Sequence, residues 1–83
     1  MYILSQMGKT KDSPNVRTPA DIGQAIRAFR KRQGLTLVEC AAANGVSVRF
    51  LSELERGKPG ASLGAALKIA RSVGLHVFVE GAG

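Results

Sequence analysis

The sequence has no tryptophan, one tyrosine and three phenylalanines, so it offers few aromatic faces on which single-stranded nucleic acid could stack. It has one cysteine and one histidine, which excludes a disulfide scaffold and leaves too few ligands for a structural zinc site. No apolar run approaches the ~20 residues of a membrane-spanning helix, and the first residues lack the pattern of a secretory signal. We therefore expect a cytoplasmic protein with no metal and no cofactor.

Acidic residues are also scarce. The 83 residues include 6 Asp and Glu against 12 Lys and Arg, which gives a formal net charge of +6. This excess favours an anionic partner, either a nucleic acid or an acidic membrane surface. A chain of this length forms one small domain, and its residues offer neither a nucleophile with a matched base nor a pair of catalytic carboxylates. We therefore expect a binding protein and not an enzyme.

The chain divides into three parts. Residues 1–17 are mostly polar and carry three basic residues, so we interpret them as a flexible basic arm that could follow the DNA backbone or minor groove; the basic residues are Lys9, Lys11 and Arg17. Residues 18–74 contain repeated helix signals, and we expect them to form the folded domain. Residues 75–83 form a short C-terminal strand and tail.

Signals for the start and end of helices recur along residues 18–74. Hydroxyl side chains stand at the N-cap position before each amphipathic segment; they are Thr18, Thr36, Ser47 and Ser62. Glu39 follows Thr36 at the spacing of a capping box. The segments end at glycines or next to them; these ends are Gly34, Asn44-Gly45, Arg56-Gly57 and Gly74. The sequence therefore predicts an all-α domain with four short helices.

The segment from Leu75 to Glu80 alternates with a period of two and is rich in β-branched and aromatic residues, which predicts one strand. A single strand is unstable in water and needs a partner. Two partners are possible: the same strand of a second copy across a two-fold axis, or the short apolar segment at residues 2–4. We favour the dimer, with interface residues Leu75, Val77, Phe78 and Val79.

Ala41, Gly45 and Leu51 have the spacing of a helix-turn-helix unit. A small residue at Ala41 lets the next helix cross closely, and Gly45 adopts the left-handed conformation that a sharp turn requires. Val46, Leu51 and Leu54 fill the angle between the two helices. Such a unit presents its second helix to the major groove of DNA.

Residues 22–74 resemble the phage-repressor, or XRE-type, helix-turn-helix family. The resemblance rests on residues 34–36 (GLT), 45–47 (GVS) and 50–59 (FLSELERGKP). With its terminal strand, the chain is most similar to the HipB-type antitoxins. The resemblance implies a compact lambda-repressor-like fold of four to five helices with one C-terminal β-strand pairing across a dimer. Two positions depart from the family pattern: Leu37 replaces the usual glutamine, and Asn44 replaces a usually apolar residue.

The resemblance implies a sequence-specific repressor that binds double-stranded DNA as a homodimer at a pseudo-palindromic operator, and autoregulates its own operon. It further implies an antitoxin that binds a HipA-like kinase toxin. Two alternatives stay open: a stand-alone XRE-type regulator without a toxin, and a protein-interaction module that does not bind DNA.

In the geometry of that family, the N-terminal part of the third helix contacts base edges. The implied base-contacting residues are Ser47, Val48, Arg49, Ser52 and Glu53. Arg49 is the best candidate for a bidentate contact to guanine, whereas Glu53 either accepts from a cytosine amine or pairs with Arg49. Val48 either packs on a thymine methyl or makes minor packing contacts. Expected phosphate contacts come from Thr36, Arg56, Lys58 and Arg17.

Three further expectations concern structural residues. The resemblance implies that Glu55 anchors an arginine within the fold, either Arg27 or Arg30. The basic run from Arg27 to Arg32 either contacts DNA or forms a solvated face. Cys40 has apolar neighbours and no second cysteine, so we expect a buried filler and not a redox sensor.

Overall fold

The computed structural model describes residues 16–60 and 62–78. Within them the chain forms four helices: α1 Pro19–Arg32, α2 Leu37–Asn44, α3 Val48–Glu55 and α4 Leu63–Ser72. The predicted all-α fold is confirmed. The predicted N-terminal arm lies outside the described residues, apart from Val16 and Arg17.

Each helix begins where the sequence predicts it, because a hydroxyl oxygen accepts a hydrogen bond from a first-turn amide. The four donor–acceptor distances lie between 2.9 and 3.2 Å, at Thr18, Thr36, Ser47 and Ser62. In α1 and α2 the capping box is closed from the other side as well. The Asp21 and Glu39 carboxylates accept from the backbone amides of Thr18 at 3.2 Å and Thr36 at 2.9 Å.

The core lies where the four helices meet. Its largest fully buried side chains come from all four helices and the cap of α4: Ile26, Cys40, Leu51, Ile69 and Val73. Burial raises the pKa of the Cys40 thiol, so this side chain is neutral at physiological pH. The prediction of a buried filler at Cys40 is confirmed.

Helix α1 crosses α3 at Gly23, and the approach leaves no room for a side chain. A Cβ atom at Gly23 would overlap the Leu54 carbonyl oxygen and lie 2.8 Å from that of Glu55. The absence of a side chain at Gly23 therefore sets how deeply α1 seats against α3. The sequence does not reveal this contact, because a single glycine within a helical pattern does not identify which helix crosses there.

The predicted strand at residues 75–80 is not formed in the described residues 75–78. The Leu75 amide donates to the Ala70 carbonyl at 2.9 Å, and the Leu75 side chain is buried in the core of its own chain. Val77 and Phe78 are exposed by 44% and 62%, and Val79 lies outside the described residues. A strand needs a second backbone to pair with, so pairing across a dimer stays a prediction.

Candidate nucleic-acid interface

The turn between α2 and α3 has the predicted geometry. Gly45 is in the left-handed region, with φ 66° and ψ 30°, where other residues are strained. The amide of Val46 then donates to the Ala41 carbonyl at 3.0 Å, and Ala41 is buried. Ser47 caps α3 directly afterwards. The turn therefore fixes both the position and the direction of the first turn of α3.

The two faces of α3 differ sharply. Leu51 and Leu54 are buried, whereas Val48 is 41% exposed and the Arg49 side chain is 85% exposed. None of the predicted base-contacting residues is buried: Ser47, Val48 and Arg49 are exposed, and Ser52 and Glu53 are half-buried. The N-terminal part of α3 thus presents a free surface with a cation at its centre.

Arg49 and Glu53 form an ion pair one helical turn apart, with Nε and Oε2 separated by 3.3 Å. Lys58 approaches the other Glu53 oxygen at 3.4 Å. The hydrogen bond from Arg49, with support from Lys58, lowers the pKa of the Glu53 carboxyl. Such exposed pairs add little stability. The contact therefore orients Arg49 in the free protein while leaving its guanidinium accessible.

The predicted phosphate-contacting residues are all exposed, but they are not equally available. The Thr36 amide already donates to Glu39 Oε1 at 2.9 Å, so this amide is not free for a phosphate. Lys58 is shared with Glu53. Within the described residues the side chains of Arg17 and Arg56 make no ion pair.

Glu55 binds Arg30, which resolves the alternative that the sequence left open. Arg30 donates from Nε to Oε2 at 2.7 Å and from Nη2 to Oε1 at 3.0 Å, and its Nη1 donates to the Leu35 carbonyl at 2.7 Å. Both side chains are buried. The hydrogen bonds to Glu55 raise the pKa of Arg30. One guanidinium thus links α1, the loop before α2 and the end of α3.

The basic run of α1 is not a single charged face. Arg30 is buried, Arg32 lies over the Phe29 ring with its Cζ 4.9 Å from the ring centroid, and Arg27 and Lys31 are exposed. Only part of this run is therefore available to a partner.

A groove of about 690 Å³ lies between α1, the start of α2 and α3. The lining residues are Gln24, Arg27, Arg30, Leu37, Ser52, Glu55 and Arg56. Ser52 also belongs to the predicted base-contacting set, so the groove is continuous with the free surface of α3. The sequence does not reveal this groove, because three separate helices contribute its lining.

Asn44, one of the two departures from the family pattern, is buried, and its side-chain amide nitrogen binds two partners. Its Nδ2 donates to the Cys40 carbonyl and to Ser72 Oγ, each at 2.9 Å. Lys68 Nζ donates to the Asn44 carbonyl at 3.2 Å. These bonds tie the end of α2 to α4, which supports the helix that α3 packs against.

A short amphipathic helix is thus held over a second helix by a glycine turn, with its cationic outer surface uncovered. This arrangement defines the helix-turn-helix class of DNA-binding proteins. None of the described helices combines the length and the apolar character that crossing a membrane requires.

The chain belongs to the helix-turn-helix family, whose model matches residues 26–78. It is 41% identical over 64 residues to the uncharacterized HTH-type transcriptional regulator y4mF of Sinorhizobium fredii, covering 77% of this chain and 84% of that protein. It is 38% identical over 64 residues to the transcriptional regulator ClgR of Mycobacterium tuberculosis, covering 75% of this chain and 57% of ClgR. The resemblance to XRE-type proteins is therefore confirmed. The relatives are transcriptional regulators, a class that is not enzymatic.

Solved structures show the same fold. The clp gene regulator ClgR from C. glutamicum superposes with a TM-score of 0.66 at 36% identity, covering 81% of this chain and 85% of that one. A HipB-O4 20mer complex gives a TM-score of 0.71 at 23% identity, covering 83% and 97%. The likeness to HipB is a likeness of fold. Together the fold and the relatives identify a helix-turn-helix transcriptional regulator, which is a DNA-binding class of protein.

Proposed function

We propose that this chain is a sequence-specific repressor that acts as a homodimer on a pseudo-palindromic operator. The observation that carries the proposal is the free surface of α3, where the 85% exposed Arg49 side chain lies opposite buried Leu51 and Leu54, with the 41% exposed Val48 beside it. A cationic fork on the outside of a rigid helix matches the guanine edge in the major groove.

The mechanism follows from that surface. Arg49 donates two hydrogen bonds to guanine O6 and N7, and Val48 packs on a thymine methyl group. When Arg49 binds the base, it either leaves Glu53 or contacts Glu53 and the base together, and Glu53 keeps its contact with Lys58. Ser47 and Ser52 flank the contacted bases. Phosphate contacts from the Thr36 hydroxyl, whose own amide is bound to Glu39, and from Arg56, Lys58 and Arg17 set the position of the domain along the duplex.

A homodimer places two α3 helices in successive major grooves, roughly 34 Å apart. The exposed side chains of Val77 and Phe78 support this arrangement, because adjoining exposed apolar residues are suited to covering by a second copy. Bound at a promoter, such a dimer represses transcription by blocking access, and we propose that the promoter is that of its own operon.

We further propose a HipB-like antitoxin whose partner is a HipA-like kinase toxin. The shared fold of the HipB-O4 20mer complex supports this role. The 36% identity to ClgR, which is named as a clp gene regulator, supports the alternative, a stand-alone regulator. The neighbouring reading frame separates the two: a HipA-like kinase there supports the antitoxin, and a gene without kinase motifs contradicts it.

The test of DNA binding begins with selection of binding duplexes from a random-sequence pool. We expect a pseudo-palindromic consensus, two chains per duplex, and an affinity that falls steeply as salt rises. Arg49→Ala should weaken binding to the selected duplex by about 1–3 kcal/mol and relax preference at one base pair per half-site. Fluorescence anisotropy measures both effects.

Arg71→Ala is the matched control, because Arg71 is an exposed arginine in the last turn of α4, a helix that contributes none of the predicted DNA-contacting residues. It removes the same charge and should leave base preference unchanged. If no duplex is enriched, the protein-interaction module is the better explanation. If Arg49→Ala behaves like Arg71→Ala, the assignment of α3 is wrong.

A further inference from the structure

We infer that Glu53 is a positioning residue for Arg49: supported by Lys58, it holds the Nε atom of Arg49 and leaves both Nη atoms to contact a single guanine. The inference rests on the proposed DNA-binding function and deepens it, because it decides between the two roles that Glu53 could have at the bases. Glu53 then contacts no base itself, and it restricts Arg49 to one geometry of contact.

The hydrogen-bond donors of Arg49 favour this geometry. An arginine has one N–H on Nε and four on Nη1 and Nη2. Among the described residues, Arg49 has a partner only at Nε, which donates to Glu53 Oε2 at 3.3 Å. A bidentate contact to guanine O6 and N7 needs two of these nitrogens. The pair of Nε and Nη2 is available only if Glu53 is released, whereas Nη1 and Nη2 are available with the Glu53 contact intact.

The turn that ends α3 brings Lys58 back beside Glu53. Gly57 is in the left-handed region, with φ 81°, and its amide donates to the Leu54 carbonyl at 3.0 Å. The Lys58 amide then donates to the Glu53 carbonyl, also at 3.0 Å. These two bonds form a Schellman motif. Because they fix the backbone of Lys58 next to Glu53, its side chain reaches the Glu53 carboxylate from a defined starting point.

Both oxygens of the Glu53 carboxylate face cations of the chain. Oε2 accepts from Arg49, and Oε1 lies 3.4 Å from Lys58 Nζ. The Glu53 side chain is 26% exposed, against 85% for Arg49. A carboxylate that reads cytosine turns an oxygen toward the N4 amine of the base, whereas each Glu53 oxygen is turned toward an ammonium or guanidinium group. These contacts favour Glu53 as a support for Arg49.

Contact with DNA strengthens the pair of Arg49 and Glu53. In the free protein the pair is in water and adds little stability. A base edge against the Nη atoms displaces water from this surface, and the attraction between opposite charges rises as the local dielectric falls. The Lys58 ammonium has three donors, so it can contact a phosphate while it stays beside Glu53. Arg49 therefore meets the base already oriented, which lowers the entropic cost of the contact.

The experiment measures how strongly the full chain prefers guanine at the base pair where Arg49→Ala relaxes preference. Fluorescence anisotropy gives the affinity for the selected duplex and for three duplexes that carry the other base pairs at that position in both half-sites. Glu53→Ala should lower the preference for guanine by about two- to tenfold, the factor expected from ordering one long side chain. Lys58→Ala should lower it by a smaller factor, because Lys58 acts through Glu53.

A double variant tests whether Glu53 acts through Arg49. Glu53→Ala added to Arg49→Ala should change the preference at that base pair no further, because the side chain that Glu53 positions is already absent. Arg56→Ala is the comparison for a phosphate contact, and it should weaken binding to all four duplexes by the same factor. Lys58→Arg keeps a cation beside Glu53 and should retain the preference of the parent. Equal urea midpoints for all variants show that the fold is intact.

Relaxed preference at a different base pair in Glu53→Ala would overturn the inference, because Glu53 would then contact a base itself. A further loss of guanine preference in the double variant would overturn it as well. An equal loss on all four duplexes in Lys58→Ala, as in Arg56→Ala, would overturn the role of Lys58. If Arg49→Ala relaxes the preference while Glu53→Ala matches the parent, the inference fails and the proposed function stands. If the parent binds no duplex, the proposed function itself fails.

Discussion

The inner and outer faces of α3 differ in burial and in how firmly their side chains are held. On the inner face, Leu51 and Leu54 are buried, and Glu55 makes two short hydrogen bonds to a buried arginine. On the outer face, Arg49 is held by a single 3.3 Å contact and is 85% exposed. The contacts of the inner face fix where the helix lies. On the outer face, Arg49 can leave Glu53 for another partner with little loss of free energy. Stability and recognition are therefore separable in this one helix.

The strongest test of the inner face is Gly23→Ala. The new Cβ would overlap a backbone carbonyl of α3, and backbone atoms cannot rotate away as a side chain can. We expect the free energy of unfolding to fall by more than about 4 kcal/mol, measured by urea denaturation, or a chain that does not fold.

Gly64→Ala is the matched control, because Gly64 lies in α4 and a Cβ there meets nothing within 4 Å. Alanine has a higher helix propensity than glycine, so the free energy of unfolding of this variant should rise by up to about 1 kcal/mol. A fall in the free energy of unfolding for Gly23→Ala, together with a rise for Gly64→Ala, would confirm that the close crossing of α1 and α3 causes the loss of stability. A mild effect at Gly23 would show that α1 and α3 can separate without harm.

The second test concerns the buried pair of Arg30 and Glu55. Glu55→Ala leaves the Arg30 charge buried without its carboxylate, which should cost about 3–5 kcal/mol. Replacing both residues, as in Arg30→Met with Glu55→Leu, should recover much of that loss, since neither charge is then buried. Urea denaturation measures both. A double variant as unstable as Glu55→Ala would mean that the Leu35 carbonyl, left without its donor, dominates the cost.

The sequence predicts contacts between residues close together in the chain, and it does not predict contacts between separate helices. Thr36 and Glu39 lie within one turn of each other, so their capping box is legible from spacing alone. Arg27 and Arg30 lie on the same side of α1, so spacing did not decide which one meets Glu55. The groove, the crossing at Gly23 and the bond from Asn44 to Ser72 each join separate helices. No local pattern encodes those contacts.

The smallest expected effect concerns the outer face of α3. The hydrogen bond from Arg49 is the main cause that lowers the pKa of Glu53, with Lys58 second among the attractive contacts. Because the folded pKa is lowered, the stability from this pair is present above the ordinary carboxyl pKa and is lost as pH falls through the folded value. A ¹³C titration of Glu53 should show its midpoint rising in Arg49→Ala, and rising less in Lys58→Ala.

At neutral pH, Glu53→Gln should leave the urea midpoint unchanged within error. A clear loss of stability in Glu53→Gln would contradict the contrast between the two faces, because the outer face would then also hold the helix in place.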